Sequence, residues 1–540
     1  MQKELVSIDI GSTYTKGALF TLASLEHREG KSCAKLILKK RAAVPTTQED
    51  LSLGFGRVYT ELTGLPFPTF RDTGIQDIPQ EKNKEAIQSL GTQGPGFAAG
   101  QHLKEEKSPN EALGSAEKPR HLDIYFSSSA KGGLRIAAVG IVPDLTLQIA
   151  RLAAWSAGGK IVADSSYRLR EDSLQRLLAG DPDILLFTGG TDGGNEDMVL
   201  WNARQLAGSS FKGTILYAGN SAIQREVRKI LENKCLVVAS NVMPRVGEIC
   251  IEETRRTIQK IFLDTIVEGR GLKLVQEFCQ TEPVPTPAAV FNLVEALGSE
   301  GALEEPFCVI DLGGATTDVY SVGEPFLGGE GVVLKGLREP KVKRTVEGDL
   351  GMRVSAFALW DTIHSILPEI KTLFAPLGCP DQEELQAYVE KVTKNPSYIP
   401  ETKAEETLDR FLALLAVALA VVRHSGVWEE SYTPAGKIYL QSGKDLRPSK
   451  ILIGSGGYLC RYSLGRVIRT LLRGMQEGKV RGNPLSSVLQ RGGIPLVPYQ
   501  AQYFRDSFYL FPLLGNFVKE YPKEGIQMAL ETLCLESEEA

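Results

Sequence analysis

A chain of 540 residues, 42% hydrophobic and 24% charged, has the make-up of a globular protein long enough for two or three domains. Its formal net charge of −5 gives no electrostatic ground for binding nucleic acid. Cys33, Cys235, Cys250, Cys279, Cys308, Cys379, Cys460 and Cys534 form no C-x-x-C pair and are expected to be free thiols in a reducing cytosol. The N-terminus passes at once into a strand, with neither a basic n-region nor a long apolar h-region, so no signal peptide is expected.

Residues 4–11 and 15–22 read as a hairpin. In LVSIDIGSTYTKGALF (5–20) an apolar strand ends in Asp9, Gly11 with Ser12 and Thr13 makes the turn, and a returning strand carries Lys16. Residues 33–44 form a third strand closed by Pro45, and Thr47 is placed to cap a helix to about Leu62. Residues 64–120 are rich in Gly, Pro, Gln and charge and read as a flexible insertion; His102 and His121 have no partners at metal-ligand spacing. From Leu134 strands and helices alternate, with strands at 160–163, 183–189, 214–219 and 235–240 and helices from Leu145 and at 171–178, 194–206 and 221–232. That is the pattern of a parallel, doubly wound α/β unit. GGTDGGN (189–195) falls at a strand's carboxyl end, where it serves either as a glycine-requiring turn, the reading favoured locally, or as a second polar pocket. Helices follow over 248–278, and TEPVPTP (281–287) breaks the pattern as an expected joint between two halves.

The stretch FCVIDLGGATTDVYSV (307–322) organises the rest. A strand buried on both faces delivers Asp311 to its end, Gly313 and Gly314 turn the chain, and a second strand returns. Glycines without Cβ let backbone N–H groups approach an anion, with Thr316 and Thr317 as added hydroxyl donors and Asp311 and Asp318 facing a hard cation such as Mg²⁺. D-x-G-G alone equally suits a plain hairpin turn, but the opening hairpin is a near copy ~300 residues earlier, which points to two similar halves facing one nucleotide. Beyond it, Met352, Ala356, Leu359, Ile363 and Ile366 predict a helix from Asp349 or Gly351, with Glu347 and Asp349 at its N-terminus as caps. FLALLAVALAVV (411–422) is too short to span a bilayer and reads as a buried helix, with His424 as a helix-end cation. In KILIGSGGYL (450–459) a strand runs into Gly454, Gly456 and Gly457, whose backbone can lie flat against a base or ribose.

The ordered trio of glycine turns resembles the phosphate-1, phosphate-2 and adenosine motifs of the actin, sugar-kinase and heat-shock ATPase superfamily. Within it the chain resembles more closely the glutamate mutase L proteins, accessory to adenosylcobalamin-dependent mutases. The carrying stretches are SSSAKGGLRIAAVGIVPDLT (127–146), LLFTGGTDGGN (185–195), NVMP (241–244), PTPAAV (285–290), DLGGATTDVYSV (311–322) and KRTVEGDLGMR (343–353), in order over nearly the whole chain. The resemblance implies a two-lobed, ribonuclease H-like actin/sugar-kinase ATPase fold, with an additional doubly wound α/β segment in the N-terminal half. The expected division is 1–63 and 121–280 for lobe one, 64–120 for the insertion, 281–305 for the joint and 306–540 for lobe two.

The resemblance also implies ATP or ADP with Mg²⁺ in a cleft between the lobes. Gly11, Ser12, Thr13, Gly313, Gly314, Thr316 and Thr317 would hold the phosphates, and Gly454, Gly456 and Gly457 the adenosine. Lys16 either reaches a terminal phosphate or is a surface lysine. Asp9, Asp311 and Asp318 would hold the metal, Asp9 or Asp311 would orient water, and Glu347 or Asp349 would touch the metal or orient water as further catalytic residues. No Walker A sequence is present, so a P-loop mechanism is not the first choice. The implied function is a cytoplasmic, ATP-dependent, chaperone-like factor that lets damaged cobalamin leave a mutase such as glutamate mutase or an aminomutase. The alternative is a small-metabolite kinase, for which no acceptor-binding motif is found. Neither a nucleic-acid nor a membrane partner is expected.

Overall fold

The computed structural model describes residues 3–536 other than 27–31, 48, 69–121, 130–133, 268–270, 326–330, 365–366, 368–378, 435 and 478–492. The expected insertion, from residue 69 on, lies outside the described residues, as do His102 and His121.

Lobe one opens with strands β1 (Lys3–Ile10), β2 (Tyr14–Glu26) and β3 (Ser32–Pro45), helix α1 (Leu51–Thr63) and strand β4 (Leu122–Ser128). The helix begins at Asp50, whose carboxylate accepts from Ser52 N, rather than at Thr47, and ends on Gly64 in the left-handed conformation. Next come β5 (Leu134–Val139), α2 (Gln148–Ser156), β6 (Gly159–Ser165), β7 (Ile184–Phe187), β8 (Thr214–Tyr217) and β9 (Leu236–Val238). These five strands are all parallel in the order β6-β5-β7-β8-β9, the doubly wound arrangement expected from the alternation. Along β5, Ile136 and Ala138 pack into one core while Ala137 and Val139 pack into another, so the sheet is covered on both faces.

The chain then returns to the first sheet through β10 (Val284–Pro285) and α3 (Thr286–Ser299). Residues 284–299, within the stretch expected as the joint, form a strand and a helix. Val284 and Pro285 pair with Ser127 and Ser128 as the edge strand, and Pro287 sits in the first turn of α3. Both are places where proline's missing N–H costs nothing.

Lobe two includes β11 (Phe307–Leu312), β12 (Thr317–Val322), β13 (Val332–Leu334), β14 (Val342–Glu347), α4 (Lys403–His424), β15 (Val427–Thr433), β16 (Gly436–Ser442), β17 (Ile451–Ser455), β18 (Ile494–Pro495), β19 (Gln502–Asp506) and β20 (Leu533–Leu535). Its main sheet runs β14-β12-β11-β17-β19-β20, and that of lobe one runs β3-β2-β1-β4-β10. In both, a central strand pairs antiparallel with the next strand and parallel with the fourth. This repeated ribonuclease H-like order is the two-lobed actin/sugar-kinase architecture. A small sheet, β13-β16-β15-β18, is a further part of lobe two, and its β16 lies where KIYLQ (437–441) reads as a strand.

Besides the cores within each lobe, a further core joins them. Leu5 and Phe20 of the first sheet, Phe307, Val309 and Ile453 of the second, and Val290, Leu293 and Leu297 of α3 bury together. The α/β unit, although inserted in lobe one, also packs on lobe two: Lys160 Nζ donates to Gly348 O at 3.1 Å, and the Arg344 guanidinium donates to the carbonyl of Trp155 in α2.

Helix α4 starts at a Thr402 cap that accepts from Glu405 N at 3.2 Å, and its 411–422 run is buried on every side. Among the described residues no helix is long and apolar enough to cross a membrane. His424 is not a helix-end cation. Its ring is buried between Thr345 Oγ1 (2.9 Å) and Ser321 Oγ (2.8 Å), and burial, aided by Lys343 and Lys444, holds its pKa well below the usual imidazole range. The helix expected from Asp349 or Gly351 begins only at Ala356. Met352 N and Arg353 N are already donating to Gly313 O (3.2 Å) and Gly314 O (2.8 Å), so this stretch braces the second hairpin turn instead of winding.

Candidate functional site

The two hairpin turns are built alike. Gly11 N donates to Tyr14 O at 3.1 Å, and Gly313 N donates to Thr316 O at 2.9 Å. Asp9 and Asp311 stand two residues before these glycines at the ends of the central strands; Asp9 pairs across the ladder with Lys16, and Asp311 with Asp318. The tips then meet: a Cβ added to Gly314 would lie 2.8 Å from the Thr13 methyl of the opposite lobe. The third glycine turn joins them, since a Cβ on Gly457 would lie 3.1 Å from Lys16 Nζ. Gly456 has φ +92° and passes so close to Leu312 that a Cβ would sit 2.2 Å from its carbonyl oxygen, which only glycine permits.

Around these turns lies a cavity of about 590 Å³. Its wall includes Gly11, Ser12, Thr13 and Lys16 from hairpin one, Asp311, Gly313, Gly314, Thr316 and Asp318 from hairpin two, and Gly456 and Gly457. Its cations Lys16, Arg41, Lys160, Arg344, Arg353 and Arg461 outnumber its carboxylates Asp311, Asp318 and Asp409, which suits an anionic guest. Among the described residues Asp311 has no ion pair. Burial, then the neighbouring Asp318 and Asp9, push its carboxyl up to about 7.

Several expected site residues are engaged elsewhere. Asp9 is buried behind the wall, and three hydroxyls cover its carboxylate: Ser127 (2.9 Å), Thr286 and Tyr509 (2.9 Å). Burial raises its pKa against the pull of these donors and of Lys16. Asp318 is paired with Arg344 at 2.8 Å, both side chains being buried, and accepts from Thr316 Oγ1 at 3.1 Å. Thr317 is off the wall, its hydroxyl donating to Leu350 O. Gly454 is also off it: a Cβ there would meet Tyr503 Oη at 1.8 Å, so this glycine serves strand packing rather than a base. Glu347 and Asp349 do not reach the cavity either, because both accept from Arg423 Nη1 (2.9 and 2.8 Å). Burial still pushes Glu347 up to about 7, with Arg423 opposing.

Lys16 is no surface lysine. Its ammonium lies 3.4 Å from the centroid of the Tyr509 ring, and desolvation lowers its pKa against the pull of Cys460, Asp9, Asp311 and Asp506. Sequence reasoning missed Tyr509, Arg344, Arg353 and Asp409. Arg353 and Asp409 form a bidentate pair on the wall (2.7 and 2.9 Å), buttressed by Tyr388 Oη at 3.0 Å. Arg344 and Arg353 lie within KRTVEGDLGMR, a stretch that carries the family resemblance; Tyr509, in an irregular turn, has no such signal.

At the GGTDGGN loop, Asp192 Oδ1 accepts from Ser221 N (2.8 Å) and Asn241 Nδ2 (2.8 Å), and Gly193 N donates to Asn220 Oδ1 (2.9 Å). These bonds tie three strand ends together, as the turn reading expects.

The chain matches the family described as MutL protein over residues 5–533. It is 33% identical over 485 residues to "Protein MutL" of Clostridium tetanomorphum, covering 88% of this chain and 97% of that one. The chain belongs to the MutL protein family. Solved structures are more distant from this MutL family member. A nucleotide-free acetone carboxylase is 11% identical at a TM-score of 0.31, covering 96% of this chain and 70% of that one. A nucleotide-free diol dehydratase-reactivating factor is 10% identical at a TM-score of 0.27, covering 90% and 98%. Among the described residues no group of three or more His, Cys, Asp or Glu side chains is placed to hold a metal. Among the described residues Asp311 is the one carboxylate on the wall without an ion pair, which leaves its oxygens available to a hard cation.

Proposed function

We propose that the cavity binds ATP with Mg²⁺ and that the chain is an ATP-dependent reactivating factor for an adenosylcobalamin-dependent mutase. The observation that carries the nucleotide reading is the contact of the two matched turns, Thr13 against Gly314, over one cation-rich cavity. Backbone N–H groups of the turns at 11–13 and 313–316 hold phosphate oxygens, and Lys16 reaches the phosphate end. Asp311 would hold hydrated Mg²⁺ and orient water, with Asp9, covered by three hydroxyls, behind the wall. Mg²⁺, when bound, would supply charge neutralisation for the phosphates, while the chain's own residues position the nucleotide and exclude bulk water. Glu347 and Asp349, held by Arg423, keep the brace of the second turn in place.

A triphosphate bridging both turns favours a closed lobe angle more than a diphosphate does, and this difference is what hydrolysis converts into movement. The client class comes from the family resemblance, in which such factors serve cobalamin-dependent mutases. Expected is slow ATP hydrolysis, stimulated several-fold by a mutase carrying inactivated cobalamin and followed by exchange for intact cofactor. Rapid phosphorylation of a sugar or carboxylic acid, with no response to the mutase, would instead establish the kinase reading.

A further inference from the structure

We propose that Tyr509 is a positioning residue for the phosphate end of the cavity, holding the Lys16 ammonium over its ring and the Asp9 carboxylate on its hydroxyl. This rests on the nucleotide reading above and adds a residue that neither hairpin contains. Three observations converge on it. Lys16 Nζ stands 3.4 Å from the ring centroid, well within cation–π range, and ring and ammonium both face the cavity. The Tyr509 hydroxyl donates to Asp9 Oδ2 at 2.9 Å, while Ser127 and Thr286 serve Oδ1. The backbone of Tyr509 has φ +57°, a left-handed conformation that a bulky L-residue keeps only when its surroundings enforce it.

Those surroundings are specific. Tyr509 N donates to Asp506 O at 3.1 Å, and the Asp506 carboxylate accepts from Leu510 N (2.8 Å), Phe511 N (3.1 Å) and Ser455 Oγ (3.0 Å). The turn carrying the ring is thereby pinned to the end of β17, where the third glycine turn begins. Asp9 and Lys16 are directly opposed on β1 and β2, so their side chains share a face and one ring serves both. In the matching place of hairpin two stands Asp318, and there Arg344 does the holding as an ion pair. Lobe one uses a ring and a hydroxyl for the same task. A lysine on a four-carbon stem otherwise samples many rotamers, and fixing it before a phosphate arrives removes that cost from binding.

The test is titration calorimetry of Mg·ATP and of AMP with the full chain, comparing wild type, Tyr509→Phe, Tyr509→Leu, Lys16→Ala and the Lys16→Ala/Tyr509→Leu double variant. Tyr509→Leu is expected to weaken Mg·ATP about tenfold and AMP less than about twofold, since Lys16 serves the outer phosphates. Tyr509→Phe keeps the ring and is expected to lose only about threefold, the share of the hydroxyl bond. In the Lys16→Ala background Tyr509→Leu should cost under about twofold, because its partner is gone. Equal or tighter Mg·ATP binding by Tyr509→Leu, an equal loss for AMP, or an undiminished cost without Lys16 overturns the proposal while leaving the nucleotide site standing. If Tyr509→Leu does not fold, Tyr509→Phe decides: unchanged Mg·ATP affinity overturns it. A wild-type chain that binds no Mg·ATP overturns the nucleotide reading and this proposal together.

Discussion

Replacing Asp311 with asparagine is expected to weaken Mg·ATP binding by roughly 100-fold, the upper end of what supporting residues alone contribute at metal sites. Asp311 is the one carboxylate on the cavity wall without an ion pair among the described residues, while Asp9 is covered by three hydroxyls and Asp318 is held by Arg344. Metal-free ATP should bind the variant and the wild type with similar affinity, so the loss reads out the cation and not a damaged pocket. The pH dependence has a definite sign. The carboxyl is pushed up to about 7, so in the wild type a proton competes with the cation below that value and Mg·ATP affinity rises as pH passes through it. The asparagine variant should be flat across the same range. A raised folded pKa also means that this group's contribution to stability is greatest below its unfolded value and is lost as pH rises through about 7. Above pH 7 the variant should therefore melt no lower than the wild type. Calorimetry at three pH values with a parallel thermal melt checks both parts; wild-type Mg·ATP affinity in the folded variant removes Asp311 from the site.

The second large effect is expected at Arg344. Its side chain is fully buried, pairs with Asp318 at 2.8 Å and donates to the Trp155 carbonyl of α2. Arg344→Leu leaves a buried carboxylate without its cation and a helix carbonyl without its donor, a change expected to destabilise the chain by about 3–5 kcal/mol. Arg344→Leu with Asp318→Leu removes both charges and should recover most of that loss, as replaced buried ion pairs often do. Urea midpoints of the single and double variants measure this. Equal destabilisation by both would mean that the pair is incidental and that packing alone accounts for the cost. Because the same guanidinium lies on the cavity wall and touches the α/β unit, the single variant should also loosen the contact of that unit with lobe two, seen as faster amide exchange in 148–156.

Much of this architecture was legible because it depends on local chemistry that repeats. Strand–Asp–x–Gly occurs twice, and each copy folds into the same hairpin with the same parallel neighbour, so Asp9 aligns with Ser127 and Asp311 with Ser455. The alternation of short apolar runs with helix-like segments located the five parallel strands for the same reason. What stayed hidden depends on partners far apart in sequence. Nothing near residue 318 reveals that Arg344 neutralises it, and nothing near Asp9 reveals that Tyr509, at a separation of 500 residues, will cap it. The prolines at 283–287 read as a break because proline cannot sit in a central strand; an edge strand followed directly by a helix uses the same property for the opposite purpose. Likewise the helical spacing after Asp349 was real, but the donors at 352 and 353 were claimed by the glycine turn first. Gly454 and Thr317 show the limit of reading residue type alone: both belong to a nucleotide-type sequence, and both turn toward the core.

The central claim is that one triphosphate is gripped by both turns at once. It is tested most directly by determining the structure of the full chain with Mg²⁺ and a non-hydrolysable ATP analogue. The account predicts phosphate oxygens in hydrogen-bond reach of backbone N–H groups in both 11–13 and 313–316, the cation beside Asp311, and the Tyr509 ring still beneath Lys16. A nucleotide touching one lobe alone, or lodged at the carboxyl edge of the parallel sheet, would contradict it.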